Sequence, residues 1–372
     1  PFDTVFNMSV GYNLEGIKSA PMTRFMDRMM DASQELAEIK RLLKAEYPQY
    51  ADIVIPARIV NTVTLSTMHG CPPDEIERIA RYLIEERRLN TTVKLNPTLL
   101  GKTRVLDILH NDLGYTEIDI PDSVFEKDLK YERAIQLVRN LKDSASSRGL
   151  WFGVKLSNTL PLENHRQVLP GGEMYMSGRA LYPITMNLFA KLDEEFDGDL
   201  NVSFSAGADA FNVATILAAG AKPVTVASDL LKPGGYSRML QYLENVETAM
   251  KQAGAANLTE FASDRRNAVK RAAAEALVDP RYKKAYRPAT QPKVRSGLGF
   301  FDCATAPCME QCAVCQDIPD YNRLIAQGKY DQALEVILSR NPLPGITGYV
   351  CTHLCQTHCI RNDYEMPVAI RA

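Results

Sequence analysis

The chain is 372 residues long, 45% hydrophobic and 24% charged, with a formal net charge of −2. That balance excludes bulk disorder and gives no electrostatic reason to expect nucleic acid or an anionic membrane as partner. The longest apolar runs, such as Val213 to Ala219, fall far short of the roughly 20 residues that span a bilayer, and no basic segment with an apolar core opens the chain. These features predict a cytoplasmic protein without membrane insertion, built as one large domain plus a small one. The chain opens Pro1-Phe2-Asp3 and stops inside apolar Val368–Ala372, which reads as a piece of a longer polypeptide.

Seven short apolar or β-branched runs predict strands: Val5–Val10, Thr62–Ser66, Thr92–Leu95, Thr116–Ile120, Phe152–Ser157, Asn201–Ser205 and Val224–Ala227. Amphipathic stretches such as Asp74–Arg88 and Lys130–Asp143 lie between them. This alternation predicts an α/β fold with a parallel sheet, a partial (β/α) TIM-like barrel over residues 1–252. Seven strands are one short of eight, as a missing N-terminus would leave; an open doubly wound sheet is the alternative. Over 253–296 the texture changes to one polar-faced helix, Asn257–Leu277, and a basic, Pro-containing linker or clasp, Asp279–Ser296. A small, mainly α-helical domain over 297–372 follows, with helices at Pro319–Ala326 and Tyr330–Ser339 and a break at Asn341-Pro342-Leu343-Pro344-Gly345.

Of eight cysteines, seven fall in that last segment: Cys303, Cys308, Cys312, Cys315, Cys351, Cys355 and Cys359. A secreted disulfide scaffold calls for an even set and a leader. Structural zinc favours paired CxxC knuckles, and only Cys312–Cys315 has that spacing, although His353 and His358 are at hand. Closely spaced thiolates completed by distant ones suit iron–sulfur clusters. Two thiol runs joined by a helical hairpin predict two 4Fe-4S clusters, hence an iron–sulfur domain. Two cubanes need eight ligands, so one must come from a non-Cys group or from beyond Ala372.

The run Cys303 to Cys312, then Asp317-Ile318-Pro319, then Cys351, Cys355 and Cys359 resembles the two-cluster domain of dihydropyrimidine dehydrogenase and the glutamate synthase small subunit. Phe6–Lys18, Leu65–Pro73, Val93–Gly101 and Glu173–Leu181 are similar to the selenate reductase iron–sulfur subunit family. The resemblance implies a dihydroorotate-dehydrogenase-like barrel before the clusters, and an FAD- and NAD(P)-binding region in a C-terminal part missing here. It implies Cys303, Cys308 and Cys359 as ligands of one cluster, with Phe300 where a cysteine is expected and Cys315 as a substitute donor. It implies Cys312, Cys351 and Cys355 for the second, with a Gln or Glu past Ala372.

For the barrel, the resemblance implies FMN over the strand ends. Lys94 would approach the flavin, Asn158 in Ser157-Asn158-Thr159 would bond a carbonyl, and Gly207 and Ser228 would lie in the phosphate loops. Cys71 is the candidate catalytic acid–base, a thiol that could protonate a substrate carbon; the alternative is an inert barrel residue. His69 reads as a loop residue, and Lys94 has the alternative of an ion-pair partner. No Rossmann or P-loop fingerprint occurs. The expected whole is an oxidoreductase subunit moving electrons from NAD(P)H through the clusters to the barrel or to a redox partner subunit, a molybdenum-containing selenate reductase in the resemblance; a homo-oligomer is compatible with it. The competing reading is a non-catalytic barrel scaffold serving electron transfer and docking.

Overall fold

The computed structural model describes residues 6–67, 69–165, 167, 171–230, 236, 238–286, 306–363 and 366–371. Cys303 and Phe300 lie outside the described residues, as does the start of the strand expected from Val5. The chain divides into two units, Pro1–Asp229 with Met239–Lys293, and Leu230–Arg238 with Val294–Ala372.

Among the described residues the first unit has seven strands: β1 (Met8–Val10), β2 (Thr62–Ser66), β3 (Asn90–Leu95), β4 (Phe152–Leu156), β5 (Leu160–Glu163), β6 (Glu173–Met176) and β7 (Asn201–Phe204). Five form one parallel sheet in the order β1-β2-β3-β4-β7, while β5 and β6 pair as an antiparallel hairpin. Each new strand of the sheet is laid beside the last; helices Ala20–Met30 and Ser33–Glu46 lie in the first crossover, and Pro73–Arg81, Tyr131–Ser146 and Tyr182–Glu195 in the next three. The order never reverses, as it must at the switch point of a doubly wound sheet. This is barrel winding.

The period-two alternation of a strand sorts the side chains. Val63, Leu65, Val93, Leu95, Val154, Leu156, Val202 and Phe204 are buried in one core with Ile79, Leu83, Leu137, Leu141, Ile184 and Leu188 of the crossovers. Each such side chain contributes about 2 kcal/mol by leaving water. The opposite face carries Ser9, Thr64, Ser66, Thr92, Lys94, Lys155 and Ser203.

Two expected strands differ. Thr116–Ile120 is turn and coil: the Ile118 carbonyl faces His110 Nε2 at 2.7 Å, the Ile120 amide donates to Asp119 Oδ1 at 2.8 Å, and Pro121 has no donor. These groups are taken locally, and the Asp119 carbonyl accepts from the Glu163 amide of β5 at 3.1 Å without extending into a ladder. Val224–Ala227 shrinks to a single bridge, Phe204 to Val224. The hairpin of β5 and β6 has no counterpart among the expected strands. Residues 257–277 hold two helices, Leu258–Phe261 and Arg265–Val278, and the second packs Val269, Ala272, Ala273 and Ala276 into the core of the first unit.

The second unit consists of helices Pro307–Glu310, Ile318–Ala326, Tyr330–Arg340, Pro344–Val350 and Leu354–Thr357. The second and third match the expected hairpin. Its core is Ile318, Tyr321, Leu324 and Ala333, against which Cys308, Cys312 and Cys355 pack. No helix among the described residues is long and apolar enough to cross a membrane.

Candidate iron–sulfur and flavin sites

All seven described cysteines are free thiols. In the second unit they divide between two cavities. One of about 450 Å³ is lined by Cys312, Cys351 and Cys355 together with Tyr321, Gln316 and Ile337. The other, about 220 Å³, is lined by Cys308 and Cys359 with Pro307, Ile318 and Val368. These are the two thiol sets that the resemblance implied, less Cys303. Cys315 lines neither cavity; it is exposed, with a left-handed backbone (φ 50°).

Local backbone explains why these positions suit thiolates. Cys308 and Cys355 are each the second residue of a short helix, Pro307–Glu310 and Leu354–Thr357, where first-turn amides lack helical partners. Burial pushes the Cys308 thiol up, and the nearby Cys355 and Cys359 add to this, while the amides of Cys308 and Met309 pull the other way. Burial also raises Cys355, followed by Cys351 and opposed by the Gln356 amide. The His353 amide donates to Cys351 Sγ at 3.4 Å. Crowded, half-buried thiols with amide donors are unfavourable as bare thiolates and well suited to thiolates sharing metal charge. Among the described residues no three His, Cys, Asp or Glu side chains gather as around a single ion; in a cubane each thiolate binds its own iron. The chemistry of this donor set fits iron–sulfur ligation.

The carboxyl ends of the strands hold the barrel candidates. Lys94 is half-buried on the polar face of β3, and burial lowers its pKa; it has no ion pair among the described residues. Asn158, just past β4, is buried, and its Nδ2 donates to Asn96 Oδ1 at 2.7 Å and to the Thr67 carbonyl at 2.8 Å. It ties three strand ends together. Cys71 follows β2 and lies in a cavity of about 650 Å³ at the carboxyl ends of β1 and β2, lined also by Tyr12, Asn13, Ser66 and Glu75. Burial and then the Glu75 charge raise its pKa, so it is a thiol at neutral pH, able to give a proton and weak as a nucleophile.

His69 has a role that sequence spacing does not predict. Its Nδ1 meets Asp128 Oδ2 and its Nε2 meets the Thr159 carbonyl, both at 2.8 Å. Asp128 is 5% exposed and also accepts from Thr98 Oγ1 at 2.7 Å and the Gly70 amide at 2.8 Å. Both ring nitrogens face acceptors, which suits an imidazolium. Burial opposes that charge, but the hydrogen bond and charge of Asp128 outweigh it and raise the pKa; the same contacts overcome burial and lower that of Asp128.

Gly207 adopts φ +69°, and a Cβ there would meet the Gly178 carbonyl oxygen at 2.3 Å and Arg179 Cα at 2.8 Å. Gly178, with φ +65°, lies in turn against the Ser228 side chain. Three segments therefore converge at the expected phosphate loops, and Gly178 lies in the Glu173–Leu181 stretch that carries the resemblance, which gave it no site role. The space that glycine leaves at Gly207 is filled by backbone.

This architecture, a parallel α/β barrel domain and a thiol-rich helical domain, is that of an iron–sulfur oxidoreductase. Residues 1–284 match the family model described as oxidoreductase YgfK, N-terminal TIM-barrel domain, and residues 294–372 match that of dihydropyrimidine dehydrogenase domain II, 4Fe-4S cluster. The chain belongs to the YgfK oxidoreductase family and carries a 4Fe-4S domain. It is 45% identical over 386 aligned positions to YgfK of Escherichia coli (strain K12), provisionally named an oxidoreductase, covering 99% of this chain and 37% of that protein. The chain thus spans little more than a third of that relative. An NADP(+)-dependent formate dehydrogenase subunit beta of Moorella thermoacetica is 40% identical over 76 residues, covering 20% of this chain and 11% of that one. An NADPH-Fe(3+) oxidoreductase subunit beta of Geobacter sulfurreducens is 42% identical over 71 residues, covering 19% and 11%.

Proposed function

We propose that the chain is the barrel and electron-transfer portion of a larger NADPH-dependent reductase, with Cys303, Cys308 and Cys359 holding one 4Fe-4S cluster and Cys312, Cys351 and Cys355 the other. The observation that carries this reading is the division of the thiols between two cavities. The relatives matched over the cysteine segment, named for NADP(+) and NADPH, support the electron source, an FAD- and NAD(P)-binding region outside this chain. When bound, the clusters supply one-electron carriage and FMN at the barrel supplies exchange between one- and two-electron chemistry. The thiols and nearby amides balance cluster charge, Asn158 fixes the strand ends, Lys94 offers a cation, and Cys71 holds a proton at Sγ. Selenate as acceptor and a molybdenum-containing partner subunit extend the proposal on resemblance alone.

The second reading, a barrel scaffold without flavin, is favoured by one observation: backbone fills the space at Gly207. Anaerobic iron, sulfide and flavin analysis of the full-length protein separates the two. Iron and acid-labile sulfide for two clusters, bleached by NADPH, are expected. Stoichiometric zinc in place of iron overturns the cluster reading; iron with no flavin beyond FAD leaves the barrel a scaffold.

A further inference from the structure

Lys94 and Lys155 are register partners on adjacent parallel strands, and Ser66 is the partner of Lys94 on its other side. Parallel strands lie about 4.8 Å apart and register partners point the same way. Three donors therefore form a row at the carboxyl ends of β2, β3 and β4, on the polar face of the sheet. Both lysines are half-buried. Burial lowers the pKa of Lys155, and the charge of Lys94 lowers it further, so the two ammonium groups sense one another. Lys155 Nζ donates to Thr225 Oγ1 at 2.8 Å, a neutral partner. The acidic side chains near the strand ends are engaged elsewhere: Asp128 with His69 and Thr98, and Asp209 with Arg179 at 3.5 Å. Among the described residues no carboxylate forms an ion pair with either lysine.

Two like charges side by side in a partly dry site are unfavourable unless an anion joins them. We propose that Lys94, Lys155 and the Ser66 hydroxyl form a seat for an oxyanion, a carboxylate or an inorganic oxyanion, at the mouth of the barrel. Two cations in a row can each face one oxygen of such a group, with the hydroxyl as a third donor. The seat deepens the barrel reading above, because it gives the barrel ligand a charge and a chemical class, and it rests on the strand ends being a ligand site. Its test needs no flavin.

Calorimetric titration of the full-length protein with oxalate and with sulfate decides the matter. Saturable binding of one of these anions is expected, weakened at least tenfold by Lys155→Met and by Lys94→Met, retained in Lys155→Arg, and unchanged by Lys284→Met, whose lysine is paired with Glu117 on the surface. Repeating the titration with FMN present identifies the source of the anion: competition assigns the seat to the flavin, and simultaneous binding assigns it to a substrate. Absence of saturable binding of both anions, or an unchanged affinity in Lys155→Met, overturns the proposal. A protein that purifies without barrel flavin yet binds oxalate sinks the flavin reading and leaves the seat standing.

Discussion

The two units stabilise their chemistry by different means. In the barrel unit the candidate residues are held by a large apolar core and a dense polar network: Asn158 spans three strand ends, and Asp128 collects His69, Thr98 and the Gly70 amide. In the thiol-rich unit the core is Ile318, Tyr321, Leu324 and Ala333, and the cysteines surround cavities. Beside so small a core among the described residues, a bound cluster would add its binding free energy to folding. The barrel unit holds its polar groups by packing and hydrogen bonds, whereas the second unit sets its thiols around cavities.

The largest effect should come from removing that contribution to folding. Anaerobic removal of iron from the full-length protein should make the segment after residue 300 protease-sensitive while the barrel unit stays intact, read by limited proteolysis and mass spectrometry. Cys355→Ser should lose about half of the iron; an unchanged iron content removes Cys355 from the ligand set.

The barrel should break through packing instead. Gly207→Ala combines a strained φ with a Cβ driven into the Gly178 carbonyl and should cost about 3 kcal/mol in urea unfolding of that unit. A cost under about 0.5 kcal/mol would mean that Gly178 and Arg179 yield and that the space is open to a ligand.

Asp128→Asn sharpens the contrast through pH and should cost about 2 kcal/mol near pH 6. The His69 pKa is raised in the fold, so its contribution is complete below about pH 6.5 and is lost as pH rises through the folded value. The Asp128 pKa is lowered, so its contribution is present above about pH 3.9 and is lost as pH falls through the folded value. The pair therefore stabilises most between those limits. Wild-type stability should decline on the alkaline side of this window, and the variant should show a flatter profile.

The smallest effect is on Cys71. Alkylation by iodoacetamide should be slower than for a free thiol at pH 7.5, and Glu75→Gln should speed it modestly by removing a charge that holds the proton on sulfur. Peptide mapping after labelling reads this site alone.

Much of this contrast is legible in the order of the residues. The cysteine spacing carries its donor chemistry openly, because ligand runs are local in sequence and thiolates have few competing roles. The crossover helices Pro73–Arg81 and Tyr131–Ser146 and the five strands of the sheet follow from periodicity. Thr116–Ile120 misleads because alternation alone does not reveal that His110 and Asp119 satisfy the same backbone. The hairpin of β5 and β6 is hidden because Pro161, Asn164 and the glycines at 171 and 172 read as loop.

By itself the sequence determined the kind of chain this is: alternating strands and helices, then a segment whose thiols call for metal. Tertiary structure decided which thiols share a cavity, that His69 meets Asp128, that Gly178 closes on Gly207, and that Lys155 stands beside Lys94. Periodicity and spacing are properties of neighbours along the chain, whereas each of these contacts joins separate segments and depends on strand register. A shift of one residue would turn either lysine to the other face of the sheet.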